Sequence, residues 1–560
     1  MTRRGTVRGG VARGGAAPGG VARASWCLVL AALWLSGTPP ASAQQDSPRP
    51  DAAREQAADT RQTPADRPTA DRAPGAPGGR SSTDRTTQHE IALPGGPLRF
   101  SAAVSTLRLV DAGGTPQAEV VATAFLRDGD GADRGRDRPV TFALNGGPGA
   151  SSAWLNLGSL GPWRVPIGGD TVSPSATPAL VDNRETWLVF TDLVFLDPPG
   201  TGYSRVLAGG DDARRRIWSV GGDITLLADA MRRWLEANGR MLSPKFIAGE
   251  SYGGFRAPRL VQALREEQGV GVSGLILVSP VLDFAGRGSN TDPFGWVTRL
   301  PSMAAATGGV RDRAALREAE EYAAGEYLLD LVRGERDPAA VERAASRVAA
   351  LTGLDPALVR RRAGRVDMGT FLRERTHEAA KLASPYDATV AALDPFPASP
   401  DVDAPDPVLD ALRPLFTGAA IEMYTGRLGW APEGEPGRRY RLLNESTARE
   451  WDYGRANRPP ESMTALRQAL ALDPALRVLV VHGLYDLVTP YFASALQLAQ
   501  VPQTVAGDRL RLRAYPGGHM FYSQDASRAA FQADAEALIS AAAAGSAWVR
   551  PADAPGPPVR

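Results

Sequence analysis

A serine stands between two glycines at Gly249-Glu250-Ser251-Tyr252-Gly253, with a carboxylic acid immediately before it. The spacing fits a nucleophile elbow, a strand-to-helix turn so tight that bulky flanking residues are excluded. A serine hydroxyl is a weak nucleophile until a base takes its proton, and the base needs a third group to orient it. His519, in Pro-Gly-Gly-His-Met, is the candidate base, and Asp486, in His-Gly-Leu-Tyr-Asp, the candidate orienting acid. The oxyanion of acyl transfer needs backbone donors; the amide of Tyr252, just after the serine, and one from the loop at Gly146-Gly147 are the candidates. This chemistry calls for no metal and no cofactor.

These residues need a scaffold that brings distant segments together. Short apolar runs without polar alternation, each ending in a turn signal, occur at Val140 to Leu144, Leu193 to Leu196, Phe246 to Ala248, Leu275 to Ser279 and Val478 to Val481. Such runs are expected of strands buried on both faces of a parallel sheet, and helical patterns lie between them at Ile224 to Leu235 and Arg256 to Glu266. Alternating positions at Leu98 to Leu109 and Ala118 to Phe125 predict an antiparallel hairpin that opens the folded domain. The class is α/β. Four of the five runs are followed by Asn-Gly-Gly-Pro-Gly-Ala-Ser-Ser (145–152), Asp-Pro-Pro-Gly-Thr-Gly-Tyr-Ser (197–204), the elbow and the Asp486 loop, and the strand-like Leu-Arg-Leu-Arg-Ala-Tyr (510–515) runs into His519. Loops at the carboxyl ends of strands are where an open parallel sheet presents its site. The order Ser251, Asp486, His519 is that of an α/β-hydrolase, with a mostly parallel central sheet flanked by helices.

Taken together, Leu-Asn-Gly-Gly-Pro-Gly-Ala-Ser-Ser, Asp-Pro-Pro-Gly-Thr-Gly-Tyr-Ser, Gly-Glu-Ser-Tyr-Gly-Gly, His-Gly-Leu-Tyr-Asp and Gly-Gly-His-Met resemble the serine carboxypeptidase family, and its bacterial secreted members more than the disulfide-bonded eukaryotic ones. The resemblance runs from about residue 95 to 540. It implies release of single residues from peptides with a free C-terminus, with Ser251, Asp486 and His519 as triad and the Gly147 and Tyr252 amides as oxyanion hole. It further implies that Asn145, the Gly146 amide and Glu250 bind the substrate's terminal carboxylate and that Met520 borders the pocket for the departing residue. Two positions depart from the family pattern: Ala143 stands where a tryptophan is common, and Ser159 where a second acid is expected. The same triad also serves an esterase, an acyltransferase or an iminopeptidase-like hydrolase, and a non-catalytic binding protein can keep the fold.

Residues 1–43 read as a signal peptide: five arginines precede the apolar run Trp26 to Leu35, and Ala41-Ser42-Ala43 fits a signal-peptidase site. The run is too short for a stable bilayer span, so no integral membrane segment is expected after cleavage, and an exported, periplasmic or extracellular protein is. Residues 44–88, rich in Pro, Ala, Asp, Arg, Gln and Thr, read as a disordered linker. The single cysteine, Cys27, lies in the signal, so the mature chain forms no disulfide. The core is expected in two parts, 89–284 and 466–548, around a mainly helical cap at 285–465 where the strand rhythm lapses, with a disordered tail at 549–560. Lys plus Arg number 63 against 62 Asp plus Glu, and no basic stripe is interleaved with aromatics, which argues against a nucleic-acid partner. His482 is expected to be structural, and Trp154 and Tyr485 to pack; His89 and His377 have no chemical context. Asp197 divides evenly between turn former and site residue.

Overall fold

The computed structural model describes residues 84–129, 137–167, 173–177, 179–285, 291–399, 404–432, 438–454 and 458–545. The signal and tail segments, and the linker as far as residue 83, lie outside them.

The long strands of the central sheet are β1 (Arg85–Leu93), β2 (Gly96–Val110), β3 (Pro116–Arg127), β4 (Val140–Leu144), β5 (Asp192–Leu196), β6 (Lys245–Glu250), β7 (Gly274–Val278), β8 (Arg477–Gly483) and β9 (Leu510–Tyr515). They lie in the order β1-β2-β3-β5-β4-β6-β7-β8-β9, and Arg205–Val206 pairs with β3 as a short extra strand. The pairs from β5 to β9 are parallel, while β1, β2 and β3 form an antiparallel meander joined to β5. This is the mostly parallel α/β-hydrolase sheet. Every residue of β4, β5, β6, β7 and β8 is buried, which is why their sequences show no polar alternation.

Alternate side chains of these strands feed two cores. Phe142, Ile247, Leu275 and Val480 join Met231 and Trp234 of helix α1 (Val220–Ala237) and Leu260 of helix α2 (Tyr252–Gln268). Ala143, Phe246, Ile276 and Val481 face the other way, where Trp154 and Trp187 pack.

Between β7 and β8 the chain is mainly helical, including α3 (Leu300–Gly308), α4 (Pro338–Thr352) and α5 (Leu409–Glu422), with one small hairpin pairing Lys381–Ala383 with Ala391–Leu393. Helix α6 (Met463–Leu472) straddles the expected cap boundary and packs on α2. The last helix, α7 (Asp525–Ala543), adds Phe531 and Leu538 to the second core.

One boundary needs correction. The sequence reading carries the linker through residue 88, but β1 begins at Arg85 and its Thr86, Thr87 and Gln88 pair with Ala103, Ala102 and Ser101. The hairpin β2-β3 is therefore not the first element. An edge strand needs backbone pairing more than apolar bulk, and Ile91 is the only fully buried residue of β1, so its polar composition resembled a tether.

Candidate active site

Ser251 lies between the last residue of β6 and the first of α2, half-buried, with φ at +61° and ψ at −118°. Few non-glycine residues hold such a backbone, and the surroundings must impose it. The Ser251 amide donates to the carbonyl of Val278 at 2.8 Å. A Cβ on Gly249 would lie 2.2 Å from the carbonyl oxygen of Gly253, so the turn can close only with glycine there. Tyr252 opens the helix, leaving its amide among the first-turn donors that have no partner inside the helix.

The loop after β4 runs directly over this helix start. A Cβ on Gly146 would sit 2.4 Å from the Tyr252 nitrogen, so glycine lets the loop and the elbow touch. Gly147 follows with φ at +97° and a cis bond to Pro148. Gly146, the residue before the expected oxyanion donor Gly147, thus touches the amide of Tyr252.

Asp486 and His519 meet across the ends of β8 and β9. His519 Nδ1 lies 2.7 Å from Asp486 Oδ2, and both residues are buried. The other carboxylate oxygen accepts from the amides of Val488 and Thr489 at 2.8 and 3.0 Å. The Thr489 hydroxyl lies within reach of three groups: Asp486 Oδ2 at 2.6 Å, the Ser279 carbonyl at 3.0 Å and His519 Nδ1 at 3.0 Å. Burial alone would raise the pKa of Asp486, but the charge and hydrogen bond of His519 and the Thr489 donors hold it below the usual value. Ser279, itself at φ +42°, donates through its hydroxyl to the His519 carbonyl at 2.8 Å.

Glu250 points into the protein beside the elbow and is fully enclosed. Burial pushes its pKa up to about 7, against the pull of His519 and of donors on Tyr522 and Asn145. The Tyr522 hydroxyl donates to Oε2 at 2.9 Å. Asn145 is oriented for its part, because its side-chain oxygen accepts from the Leu155 amide at 2.9 Å and leaves the NH2 group free to turn toward Glu250. The backbone of Asn145 is anchored as well: Arg256 Nη1 donates to its carbonyl at 2.6 Å, while Arg256 Nε is 2.6 Å from Asp223 Oδ2 in an ion pair shut off from water.

Met520 is buried in the second core. Ser159 is buried too, and its hydroxyl has no hydrogen-bond partner among the described residues. Asp197 accepts from the Ser152 amide at 2.7 Å through Oδ1, its Oδ2 has no partner among the described residues, and burial lifts its pKa to about 7. His482 bonds the Thr489 carbonyl and the Ser494 hydroxyl, with its pKa pushed down by burial to about 4, so it braces the Asp486 turn as a neutral ring. Trp154 stacks on Phe416 of α5, and Tyr485 donates to the Val310 carbonyl; both are packing contacts that reach the mainly helical stretch between β7 and β8.

Sequence reasoning missed Thr489, Arg256, Asp223 and Tyr522. Thr489 had a local signal, a hydroxyl three residues after a buried acid. Arg256 was a charge between apolar sequence neighbours, Phe255 and Ala257, which by itself does not tell a buried position from a solvated one. The contact between Tyr522 and Glu250 spans 272 positions and had none.

Residues 131–303 match the family model described as serine carboxypeptidase. That segment carries the Asn145 loop and the elbow, whereas Asp486 and His519 lie beyond it. Among relatives in Arabidopsis thaliana, serine carboxypeptidase-like 13 is 30% identical over 148 residues, 26% of this chain and 33% of the relative. Serine carboxypeptidase-like 40 is 35% identical over 129 residues, 22% of this chain and 24% of the relative. The chain therefore spans about a third or less of the length of these curated relatives. Among solved structures, the prohormone-processing carboxypeptidase Kex1(delta)p of Saccharomyces cerevisiae aligns over 78% of this chain and 91% of its own, at 14% identity and a TM-score of 0.49. By its own sheet order and the strand-to-helix turn at Ser251, this chain has an α/β-hydrolase fold. Its similarity is to the serine carboxypeptidase family, as the motifs implied.

Proposed function

We propose that this protein is an exported serine-type carboxypeptidase of the bacterial secreted kind, acting on peptides with a free C-terminus. The observation that carries the proposal is the pairing of a strained Ser251 with an enclosed Glu250 whose carboxyl holds its proton up to about pH 7. An ionised acid beside an oxyanion site would repel both the developing oxyanion and a substrate carboxylate. A neutral one is a donor, able to share its proton with the terminal carboxylate while Asn145 and the Gly146 amide supply further bonds. Exopeptidase specificity follows from that geometry, because an amidated end has no carboxylate to share the proton.

In the proposed reaction, the Ser251 hydroxyl adds to the carbonyl carbon of the last peptide bond as His519 takes its proton. The charge formed on the oxygen is met by the Gly147 and Tyr252 amides. Asp486 holds the imidazole in position and stabilises its protonated form. The tetrahedral intermediate collapses, the C–N bond breaks, and His519 returns its proton to the departing amino acid, which leaves past Met520. Water then adds to the acyl ester by the same proton path and frees the shortened peptide.

Digestion of a peptide library followed by mass spectrometry tests this. The expected products are ladders shortened one residue at a time from the C-terminus, with amidated peptides spared. Hydrolysis of esters without any C-terminal trimming would replace the proposal with an esterase or acyltransferase, and removal of N-terminal residues with an iminopeptidase. Failure of a fluorophosphonate to label Ser251 would leave a binding protein.

A further inference from the structure

Ser159 stands where the resemblance leads one to expect a second acid, and its buried hydroxyl has no partner among the described residues. Glu250 nonetheless has a close partner. The Tyr522 hydroxyl lies 2.9 Å from Glu250 Oε2, and both side chains are buried. Tyr522 reaches Glu250 past the turn that bears Ser159: its ring lies so close over Gly158 that a Cβ there would be 2.7 Å from Cε2. On its own strand of chain, Tyr522 follows His519 by three residues, in the single turn Phe521–Ser523 closed by the Ser523 amide on the Met520 carbonyl at 2.9 Å. A donor to the candidate carboxylate-binding acid therefore sits in the short turn that directly follows the candidate base.

We infer that Tyr522 is a positioning residue for recognition of the substrate's C-terminus: its hydroxyl claims Oε2 of Glu250, leaving Oε1 to present its proton to the substrate carboxylate alongside the Asn145 amide. The inference rests on the carboxypeptidase function proposed above and adds a residue and a mechanism to it.

The difference between a tyrosine and an acid at this place is chemical. A second carboxyl group shares a proton with the first and favours its neutral form. The Tyr522 hydroxyl only donates near neutrality, because burial, reinforced by the Glu250 charge, pushes its own pKa well above the ordinary value. A donor favours the ionised form of its acceptor. Tyr522 thus fixes which oxygen of Glu250 is occupied, and it also limits how far burial lifts the Glu250 pKa. The other charged groups bearing on Glu250 are His519, which lowers its pKa, and Asp486, which raises it. The Arg256–Asp223 pair stands behind Asn145 and acts through that residue's backbone.

The sign of the effect of Tyr522→Phe follows. Removing a donor to the ionised carboxylate raises the Glu250 pKa, so the neutral, substrate-binding form persists to higher pH. The experiment measures KM and kcat from pH 5 to 9 for a matched pair of peptides, one with a free and one with an amidated C-terminus, using wild type, Tyr522→Phe, Glu250→Gln and the double variant. Fluorophosphonate labelling and a melting curve establish that each variant is folded. For the free peptide, the pH at which KM climbs is expected to move up by on the order of one unit in Tyr522→Phe, since one hydrogen bond to a charged group and one pKa unit are of similar size in free energy. The shift is expected to vanish in the double variant, because Glu250→Gln leaves no titrating carboxyl. A Tyr522→Phe profile that overlies wild type, that moves to lower pH, or that moves equally in the Glu250→Gln background would overturn the inference while leaving the carboxypeptidase proposal standing. A wild type that treats free and amidated peptides alike would remove both.

Discussion

Arg256 reaches from the second turn of helix α2 to the backbone of Asn145, placing Nη1 2.6 Å from that residue's carbonyl oxygen. One side chain thereby ties the helix that starts just after Ser251 to the loop that supplies the expected oxyanion and carboxylate contacts. Its charge is matched by Asp223, whose Oδ2 lies 2.6 Å from Nε, and neither side chain is exposed to solvent.

Arg256→Met should be strongly destabilising, by about 3–5 kcal/mol, because it strands the Asp223 carboxylate in the core. Asp223→Leu combined with Arg256→Met should recover much of that loss, since no buried charge remains unpaired. Activity on peptides should stay depressed in the double variant, because the Asn145 carbonyl has lost its anchor. Urea unfolding and kcat/KM measured on the three proteins check this; recovery of both stability and activity would mean that the contact to Asn145 has no bearing on the site.

The Asp486 turn yields a graded pair. Asp486→Asn should lower kcat by on the order of 10³–10⁴, since the imidazole loses the carboxylate that holds its tautomer and charge. Thr489→Val, which removes only the hydroxyl near Asp486 Oδ2, should lower kcat by about tenfold with KM little changed. Steady-state kinetics on a peptide substrate separates the two, and equal losses would show that Thr489 maintains the turn as a whole.

Much of this arrangement was legible in the chain before any coordinates. β4, β5, β6, β7 and β8 are buried on both faces, so each shows as a mainly apolar run without polar alternation, and the loops after β4, β6 and β8 bear residues expected to do chemistry. β1 was lost because an edge strand of Thr, Gln, His and Glu looks like solvated chain. Asp486 and His519 were found because each sits in a short motif at a strand end. Tyr522 was not, since a hydrogen bond between positions 250 and 522 depends on how two separate turns face each other. The role of Arg256 was hidden for the opposite reason: a charge in a helix reads as a solvated face until its burial is known.

Asp197 predicts a pH-dependent stability. Its folded pKa is raised by burial to about 7, well above the unfolded value, so the native state binds the extra proton between roughly pH 4 and 7 and stability falls as pH rises through that window. Asp197→Asn removes the penalty of ionising a carboxyl whose Oδ2 has no partner among the described residues. The variant should melt higher than wild type at pH 8 and differ little at pH 4.5, as read by calorimetry. A gap of the same size at both pH values would assign the effect to packing against Gly202, where an added Cβ would lie 1.8 Å from Asp197 Oδ2.

Glu250 has the same sign of shift, with a consequence for substrate. Its neutral form is the one that can donate to a terminal carboxylate, so KM for peptides with a free end should be low at pH 5 and rise as pH passes through about 7. Glu250→Gln, always neutral and still a donor, should flatten that rise while keeping turnover. A rise of equal size in the variant would place the titration elsewhere.

The central claim is that Ser251 cleaves at a C-terminus because Glu250 recognises its carboxylate. The most direct measurement is kcat/KM at pH 5 for two peptides differing only in a free or amidated end, with wild type and Glu250→Ala. Wild type should strongly prefer the free peptide, and Glu250→Ala should lose about 1–3 kcal/mol of that preference, the cost of leaving a buried polar group without its partner. If Glu250→Ala weakens both peptides equally, Glu250 is only a support of the elbow and the account is contradicted.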